Sequence, residues 1–234
     1  MPATDATACA DRLNAQQRAI LPIAAFAAAG DVEPLQTALN AALDAGLPVS
    51  AAREVLVQLY AYAGFPRSLN ALNELMQVLE TRRQRGIHDA PGREPGRAIP
   101  AGEALRVAGQ ANQTQLVGQP VAGPIFEFAP AIAQYLQSHL FGAIFERDNL
   151  DWPSRELATV GMLSALPGTE AQLSAHLRMS MNTGLTAMQM QEAVQVLQAQ
   201  VGGDSGRRAH DALQRVSASV QHGSQRTNTP KESA

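Results

Sequence analysis

The sequence has little cysteine and no clustered metal ligands, and these shortages remove several classes of chemistry. Its 234 residues include a single cysteine, Cys9, so neither an internal disulfide nor a Cys-x-x-Cys redox motif can form. The five histidines are dispersed, and neither an H-E-x-x-H motif nor a Cys/His cluster occurs. Dithiol chemistry is therefore excluded within the chain, and no metal site is expected.

Motifs for nucleotides, nucleic acids and membranes are also missing. There is no G-x-G-x-x-G, Walker loop or G-x-S-x-G. The formal net charge is −3 and the charges are scattered, so no basic stripe could neutralise a phosphate backbone. No window approaches the ~18 apolar residues of a membrane span, and the N-terminal MPATDATACADRL lacks the pattern of a signal peptide. We expect a cytoplasmic protein that binds neither nucleic acid nor membrane.

Helix-forming residues are abundant. The chain is 45% hydrophobic but only 4% aromatic, and it is rich in Ala, Leu, Gln and Glu. Capping and stop signals divide it into short helices. An all-α protein is predicted, with helices from Asn14 to Ala29, from Arg155 to Leu166, and after capping boxes at Thr169/Gln172 and Thr186/Gln189.

An internal repeat gives the domain organisation. Residues 34–72 align without a gap to residues 172–210 at a constant offset of 138, and the matches include apolar positions and helix-ending glycines. Glu54 and Glu192 also fall in register. We predict four segments: a first copy over 11–85, a Gly/Pro-rich linker arm over 86–123, a second copy over 124–216, and a disordered tail over 217–234.

The second copy places two ionisable side chains, Glu156 and His176, on consecutive helices joined at Pro167-Gly168. One interpretation is a proton-handling pair. The other is a glutamate that favours the start of a helix and a core histidine bonded to a carbonyl. In the first copy the corresponding positions are Ala19, if Arg155 is matched to Arg18, and Ala38. Joint loss of both groups fits a functional pair better than two separate structural roles.

Four further side chains are candidate binding residues for an anion. Tyr62 and Arg67 lie in the first-copy segment YAYAGFPRSLNAL, where packing is the alternative role for the tyrosine. Arg147 and Arg155 flank RDNLDWPSR and could hold a carboxylate bidentately, although arginines near helix ends also bind carbonyls or surface acids.

Two segments of the second copy together resemble the carboxymuconolactone decarboxylase family. They are HLFGAIFERDNLDWPSRELATVGMLSAL and EAQLSAHLRMSMNTGLTAMQMQEAVQVL. In the first copy, AAREVLVQLYAYAGFPRSLNAL resembles the family's third helix and its end. The resemblance implies two copies of an alkylhydroperoxidase D-like helical unit. It also implies a ring-like homo-oligomer, such as a homotrimer forming a pseudo-hexameric ring.

The related peroxidase branch has Cys-x-x-Cys ahead of its histidine, but this chain has Thr169 and Gln172 at those positions. A peroxidase assignment would therefore be inherited from the fold alone. The resemblance instead implies a cofactor-independent lyase acting on a small carboxylated lactone or related anion. In it His176 is the general acid, Glu156 orients it, and Arg147 or Arg155 holds the anion. A non-catalytic oligomeric protein that binds a small acid is the alternative.

Overall fold

The computed structural model describes residues 11–226, so Cys9 lies outside the described residues. Helices fill most of this range, and no strand occurs within it. The helices are α1 (Ala15–Ala29), α2 (Val32–Asp44), α3 (Val49–Gln58), α4 (Tyr60–Gln84), α5 (Gly102–Val117), α6 (Pro124–Phe128), α7 (Pro130–Tyr135), α8 (Trp152–Ala165), α9 (Glu170–Asn182), α10 (Ala187–Val196) and α11 (Gly203–Arg226). Two π-helical segments, Leu136–Ile144 and Leu197–Val201, continue α7 and α10.

Polar caps fix where the first helix of each half begins. The side chain of Asn14 accepts a hydrogen bond from the backbone N–H of Gln17, and that of Asp151 accepts from Ser154. Counted from these equivalent caps, Arg18 occupies the same helix position as Arg155, and Ala19 the same position as Glu156. The predicted α1 and its closing glycine are confirmed, since Gly30 ends the helix in the left-handed conformation at φ +82°.

Helix bounds recur between the two halves at the offset of the sequence repeat. Val32–Asp44 and Glu170–Asn182 both have 13 residues, and Val49–Gln58 and Ala187–Val196 both have 10. Each member of a pair begins and ends 138 positions from its counterpart. The backbone also breaks at the same place after the third helix, at Gly64 and Gly202.

The two halves share one hydrophobic core. Helices α1 and α8 pack closely along their lengths, and buried side chains of both halves form one cluster. Gly161 marks the closest approach, because a Cβ at this position would lie 2.7 Å from the carbonyl oxygen of Leu21. Packing α1 against α8 brings the third helix of each half close to the first helix of the other.

The Gly/Pro-rich stretch between the halves is extended, as its composition predicts, and it is bonded to both halves. Backbone N–H groups of Val49 and Ser50 donate to the carbonyls of Ala90 and Pro91. Further along, Asp148 accepts hydrogen bonds from the side chain of Arg93 and from the backbone N–H of Gly96. Regular structure resumes at α5, inside the segment predicted as a linker.

Two local predictions were wrong. α9 begins directly after Thr169, as predicted, but the predicted capping bond is absent, because the Thr169 hydroxyl donates to the carbonyl of Leu166, with that of Leu163 also within reach. The disordered tail was predicted from Ser217, but α11 continues to Arg226. Extending an existing helix costs little once its earlier turns, such as that of Val216, are packed. Residues 227–234 lie outside the described residues.

No helix within residues 11–226 combines the length and the apolarity that crossing a membrane requires.

Candidate functional site

Glu156 and His176 are in direct contact. The His176 Nδ1 lies 2.8 Å from Glu156 Oε2, and both residues are buried, with 6% and 0% of their surfaces exposed. Glu156 is the fifth residue of α8, beyond its first turn, so it is not a helix-end charge. The histidine likewise bonds a carboxylate rather than a carbonyl. Both features of the purely structural interpretation are absent from the geometry.

The contact assigns different tasks to the imidazole nitrogens. When Nδ1 donates its hydrogen to Glu156, the ring orientation is fixed and Nε2 is left for proton exchange. No described residue forms a hydrogen bond with Nε2. Glu156 also keeps one buried oxygen, Oε1, without a partner in the described part of the chain. A buried carboxylate oxygen that no protein group bonds is costly, and it can accept a hydrogen bond from water or a ligand.

The first half contributes Tyr62 to this site. Its ring meets the His176 ring edge-on, with centroids 5.9 Å apart at an angle of 78°. Its hydroxyl lies 3.1 Å from Thr159 Oγ1, one turn after Glu156 on α8. Burial, followed by the nearby charge of Glu156, raises the pKa of Tyr62. The phenol therefore stays protonated at physiological pH.

Arg155 and Arg147 converge on Glu54 rather than on open space. Arg147 donates to Glu54 from Nε at 2.7 Å and from Nη2 at 2.9 Å, and Arg155 Nη2 donates at 2.9 Å. Burial raises the pKa of Glu54, but the hydrogen bonds from Arg147 and the charge of Arg155 outweigh it, so the net shift is downward.

Arg155 is fully buried, and its guanidinium also donates to Gln58 and to the carbonyl of Arg147. Burial lowers the pKa of Arg155, although the charge of Glu54 opposes this shift. These positions differ from the ligand-binding role that the sequence suggested for the two arginines. In this arrangement they fix the loop between the π-helical segment and α8.

Arg67 lies elsewhere in the first half. It donates to the carbonyl of Ala28 and lines a small cavity of 40 Å³ with residues of α1, α2 and α4. Neither Glu156 nor His176 lines this cavity. The structure therefore brings Tyr62 to the pair but not Arg67.

An apolar cluster covers the neighbourhood of the pair. Tyr62 and Met179, which is one turn after His176, pack against it. Its buried members are Leu116, Leu140, Phe141, Ile144 and Phe145. These apolar side chains lower the local polarity on the Tyr62 side of the pair, which strengthens electrostatic interactions there.

In the first half, the region that corresponds to Glu156 and His176 has no titratable pair. Ala19 and Ala38 replace the glutamate and histidine, while Pro22 and Gln200 occupy the positions of Thr159 and Tyr62. One pair of groups is kept, however: Arg18 Nη1 lies 3.3 Å from Glu192 Oε1. This contact corresponds to Arg155 with Glu54. Each arginine bonds the third helix of the opposite half.

Residues 130–215 match the model of the carboxymuconolactone decarboxylase family. The matched range contains Glu156 and His176 together with Arg147 and Arg155, whereas Tyr62 and Glu54 lie outside it. No curated protein matches the chain.

Sequence reasoning missed Glu54, Gln58 and Thr159 as parts of the site. Glu54 carried a signal, because it is a charged residue retained in both copies of an apolar helix. Gln58 and Thr159 carried none, since their role follows from the packing between halves. Among the described residues, no group of three or more His, Cys, Asp and Glu could hold a metal ion.

Proposed function

We propose that this chain is a cofactor-independent lyase of the carboxymuconolactone decarboxylase type, which decarboxylates or isomerises a small carboxylated lactone or related anion. The observation that supports this proposal is the buried contact between Glu156 and His176, with Nε2 left unbonded by the protein. It is the arrangement expected of a general acid held in one orientation by a carboxylate.

The proposed reaction is balanced without an oxidant, reductant or metal. The bond between the lactone carbon and the carboxylate breaks, and CO₂ leaves without the bonding electrons. These electrons pass into the conjugated lactone carbonyl and form a dienolate. His176 Nε2 then donates one proton to carbon, and the imidazole recovers a proton from solvent. Glu156 stabilises the ring while it is protonated and holds its orientation after the proton has left.

Arg147 and Arg155 are both paired with Glu54, and this pairing favours the proposed decarboxylation because it keeps them from binding the leaving carboxylate. A guanidinium bound to the leaving carboxylate would stabilise the substrate more than the transition state, in which that charge leaves the group. Because Glu54 holds Arg147 and Arg155, we assign both to positioning the loop before α8. The apolar cluster beside Tyr62 provides the dry surroundings that favour loss of the charged group.

We further propose that the chain is a tandem of two family units, of which the first has lost its own pair. The recurring helix bounds and the reciprocal pairs Arg18–Glu192 and Arg155–Glu54 support this proposal.

A homo-oligomer, such as a homotrimer with the outline of a hexameric ring, is the assembly we propose. Large apolar side chains are exposed on α4 and along α6 and α7, where a second chain could cover them. They are Phe65, Leu69, Met76, Ile125, Phe128, Ile132 and Tyr135.

The test is turnover of a panel of carboxylated lactones by the wild type and by His176→Ala, with CO₂ release measured directly. We expect turnover by the wild type and a loss of about 10²- to 10⁴-fold in the variant. Equal activity in both proteins would eliminate the role of His176. Ligand affinity without turnover of any panel member would favour the non-catalytic small-acid-binding protein. Peroxide consumption that Cys9→Ser abolishes would favour a thiol peroxidase.

A further inference from the structure

Gln58, a buried residue of the first half, lies at the start of a hydrogen-bond chain that ends at Tyr62. Its Oε1 lies 3.2 Å from Arg155 Nη1, which can only donate, so this contact fixes the orientation of the amide. Its Nε2 then lies 3.0 Å from the Arg155 carbonyl and 2.8 Å from Thr159 Oγ1. The two amide hydrogens therefore have one acceptor each.

Thr159 has one hydroxyl hydrogen and two possible acceptors. They are the Arg155 carbonyl at 3.0 Å and the Tyr62 hydroxyl at 3.1 Å. The Arg155 carbonyl has two lone pairs, and it accepts from Gln58 and from the backbone N–H one turn later in α8, so the Thr159 hydrogen is free to point to the Tyr62 oxygen. A Tyr62 oxygen that accepts from Thr159 directs its own hydrogen away from α8.

The Tyr62 ring contacts the His176 ring, and its hydroxyl is near enough to Glu156 for that charge to act on it. Burial and the Glu156 charge keep this phenol protonated. A neutral donor at this place can bond a developing enolate oxygen without competing with His176 as the acid.

We infer that the Tyr62 hydroxyl binds the enolate oxygen of a lactone-derived anion at the site, and that Gln58 and Thr159 are positioning residues that aim its hydrogen. This inference rests on the proposed function for its choice of anion. Tyr62 of the first half would thus act on the substrate together with His176 of the second half. The first half has no glutamate or histidine of its own at the equivalent positions.

The probe is tetronate, the enolate of a simple five-membered lactone, with its neutral methyl ether as the comparison ligand. Affinities are measured by calorimetry on the full chain. We expect Tyr62→Phe to weaken tetronate binding by about 10- to 100-fold, since the lost bond is to a charged group, and to change methyl ether binding much less. Gln58→Met should weaken tetronate by about 2- to 10-fold.

Tyr60→Phe is the matched control, because it removes a hydroxyl from the same helix at a ring that stacks on Phe65. It should bind tetronate as the wild type does. Thermal unfolding of each variant checks that it is folded, and Thr159→Val provides a second way to interrupt the chain if Gln58→Met does not fold.

Equal tetronate affinity in wild type and Tyr62→Phe, or no binding by the wild type, would overturn the inference. Wild-type affinity in both Gln58→Met and Thr159→Val would overturn the positioning role. Binding that depends on Tyr62 in a protein without lyase turnover would leave this inference standing and remove the proposed function. Turnover that is insensitive to Tyr62→Phe would support the proposed function and overturn this inference.

Discussion

The two halves of the molecule share a backbone plan but differ in what their first two helices carry. In the second half α8 and α9 bring Glu156 and His176 to 2.8 Å, whereas α1 and α2 have Ala19 and Ala38 at these positions. The halves nevertheless retain the reciprocal contacts that join them. The contacts that hold the halves together are therefore present in both directions, whereas the buried carboxylate–imidazole pair is present in the second half only.

The contacts between halves are themselves unequal. Glu54 and Arg155 are almost completely buried, and Arg147 and Asn149 also bond Glu54. Glu192 is paired with Arg18 and Arg12, whose side chains are 39% and 72% exposed. The half that contains Glu156 and His176 thus has the more buried network behind it. A rigid loop before α8 is useful where Glu156 must hold an imidazole in one orientation.

The largest expected effect is on stability and should distinguish the two glutamates. Glu54→Gln leaves the buried Arg155 without its counter-charge, so it should lower the free energy of unfolding by about 3–5 kcal/mol. Glu192→Gln affects a more exposed pair and should cost about 1 kcal/mol or less. Urea unfolding followed by circular dichroism measures both. Equal losses would show that the two networks are equivalent.

The next effect is on catalysis and should be confined to one half. Glu156→Gln retains a hydrogen-bond acceptor for His176 but removes the charge that stabilises the protonated ring. We expect a fall in kcat of about 10- to 100-fold with little change in KM. Ala19→Ser, at the corresponding place in α1, is the control and should retain wild-type kinetics. A similar loss in both variants would contradict the assignment of the site to the second half.

A smaller effect is expected in the pH dependence of stability. The folded pKa of Glu54 is lowered, so its contribution to stability is present above the unfolded value of about 4.3 and is lost as pH falls through the folded value. The wild type should lose stability in this acidic range more steeply than Glu54→Gln does. Parallel curves from pH 6 to pH 2.5 would show that Glu54 makes no such contribution.

The smallest effect concerns the arm that is bonded to both halves. Hydrogen bonds from Arg93, and then from Gly96, hold the pKa of Asp148 far below its usual range. Asp148→Asn should loosen the arm from the second half, where the bond from Arg93 to the backbone carbonyl of residue 148 and the Arg97–Glu146 contact remain, and leave its contacts with the first half in place. We expect faster amide exchange at residues 93–97 and little change in Tm.

Asp204→Asn is the control for the arm, because it alters an exposed ion pair within α11. Unchanged exchange at residues 93–97 in Asp148→Asn would show that the arm is held by other contacts.

Much of the fold could be predicted because it is encoded locally. The cap at Asn14, the glycine at position 30 and the capping box at Thr186 specify helix ends within a few residues of sequence. Thr169 carried the same local pattern but bonds carbonyls of the preceding turn, because the chain between α8 and α9 brings those carbonyls closer. Capping patterns therefore fail where neighbouring segments offer competing partners.

The site could be predicted only in part. Spacing placed Glu156 and His176 on adjacent helices, but it could not show that they touch. The network of Glu54, Gln58 and Thr159 depends on packing α1 against α8, which brings residues about a hundred positions apart into contact. Sequence periodicity carries no information about such pairs. Arg147 and Arg155 were predicted to bind a ligand because their partner, Glu54, lies in the other half and could not be identified from the sequence.

We propose one site per chain, built from both halves, with the proton-handling pair in the second. The most direct test is the stoichiometry of tetronate binding to the wild type and to His176→Ala, measured by calorimetry with a known concentration of chains. We expect one tetronate per chain in the wild type and a large loss of affinity in the variant. Two tetronate molecules per chain, or binding that His176→Ala leaves unchanged, would contradict it.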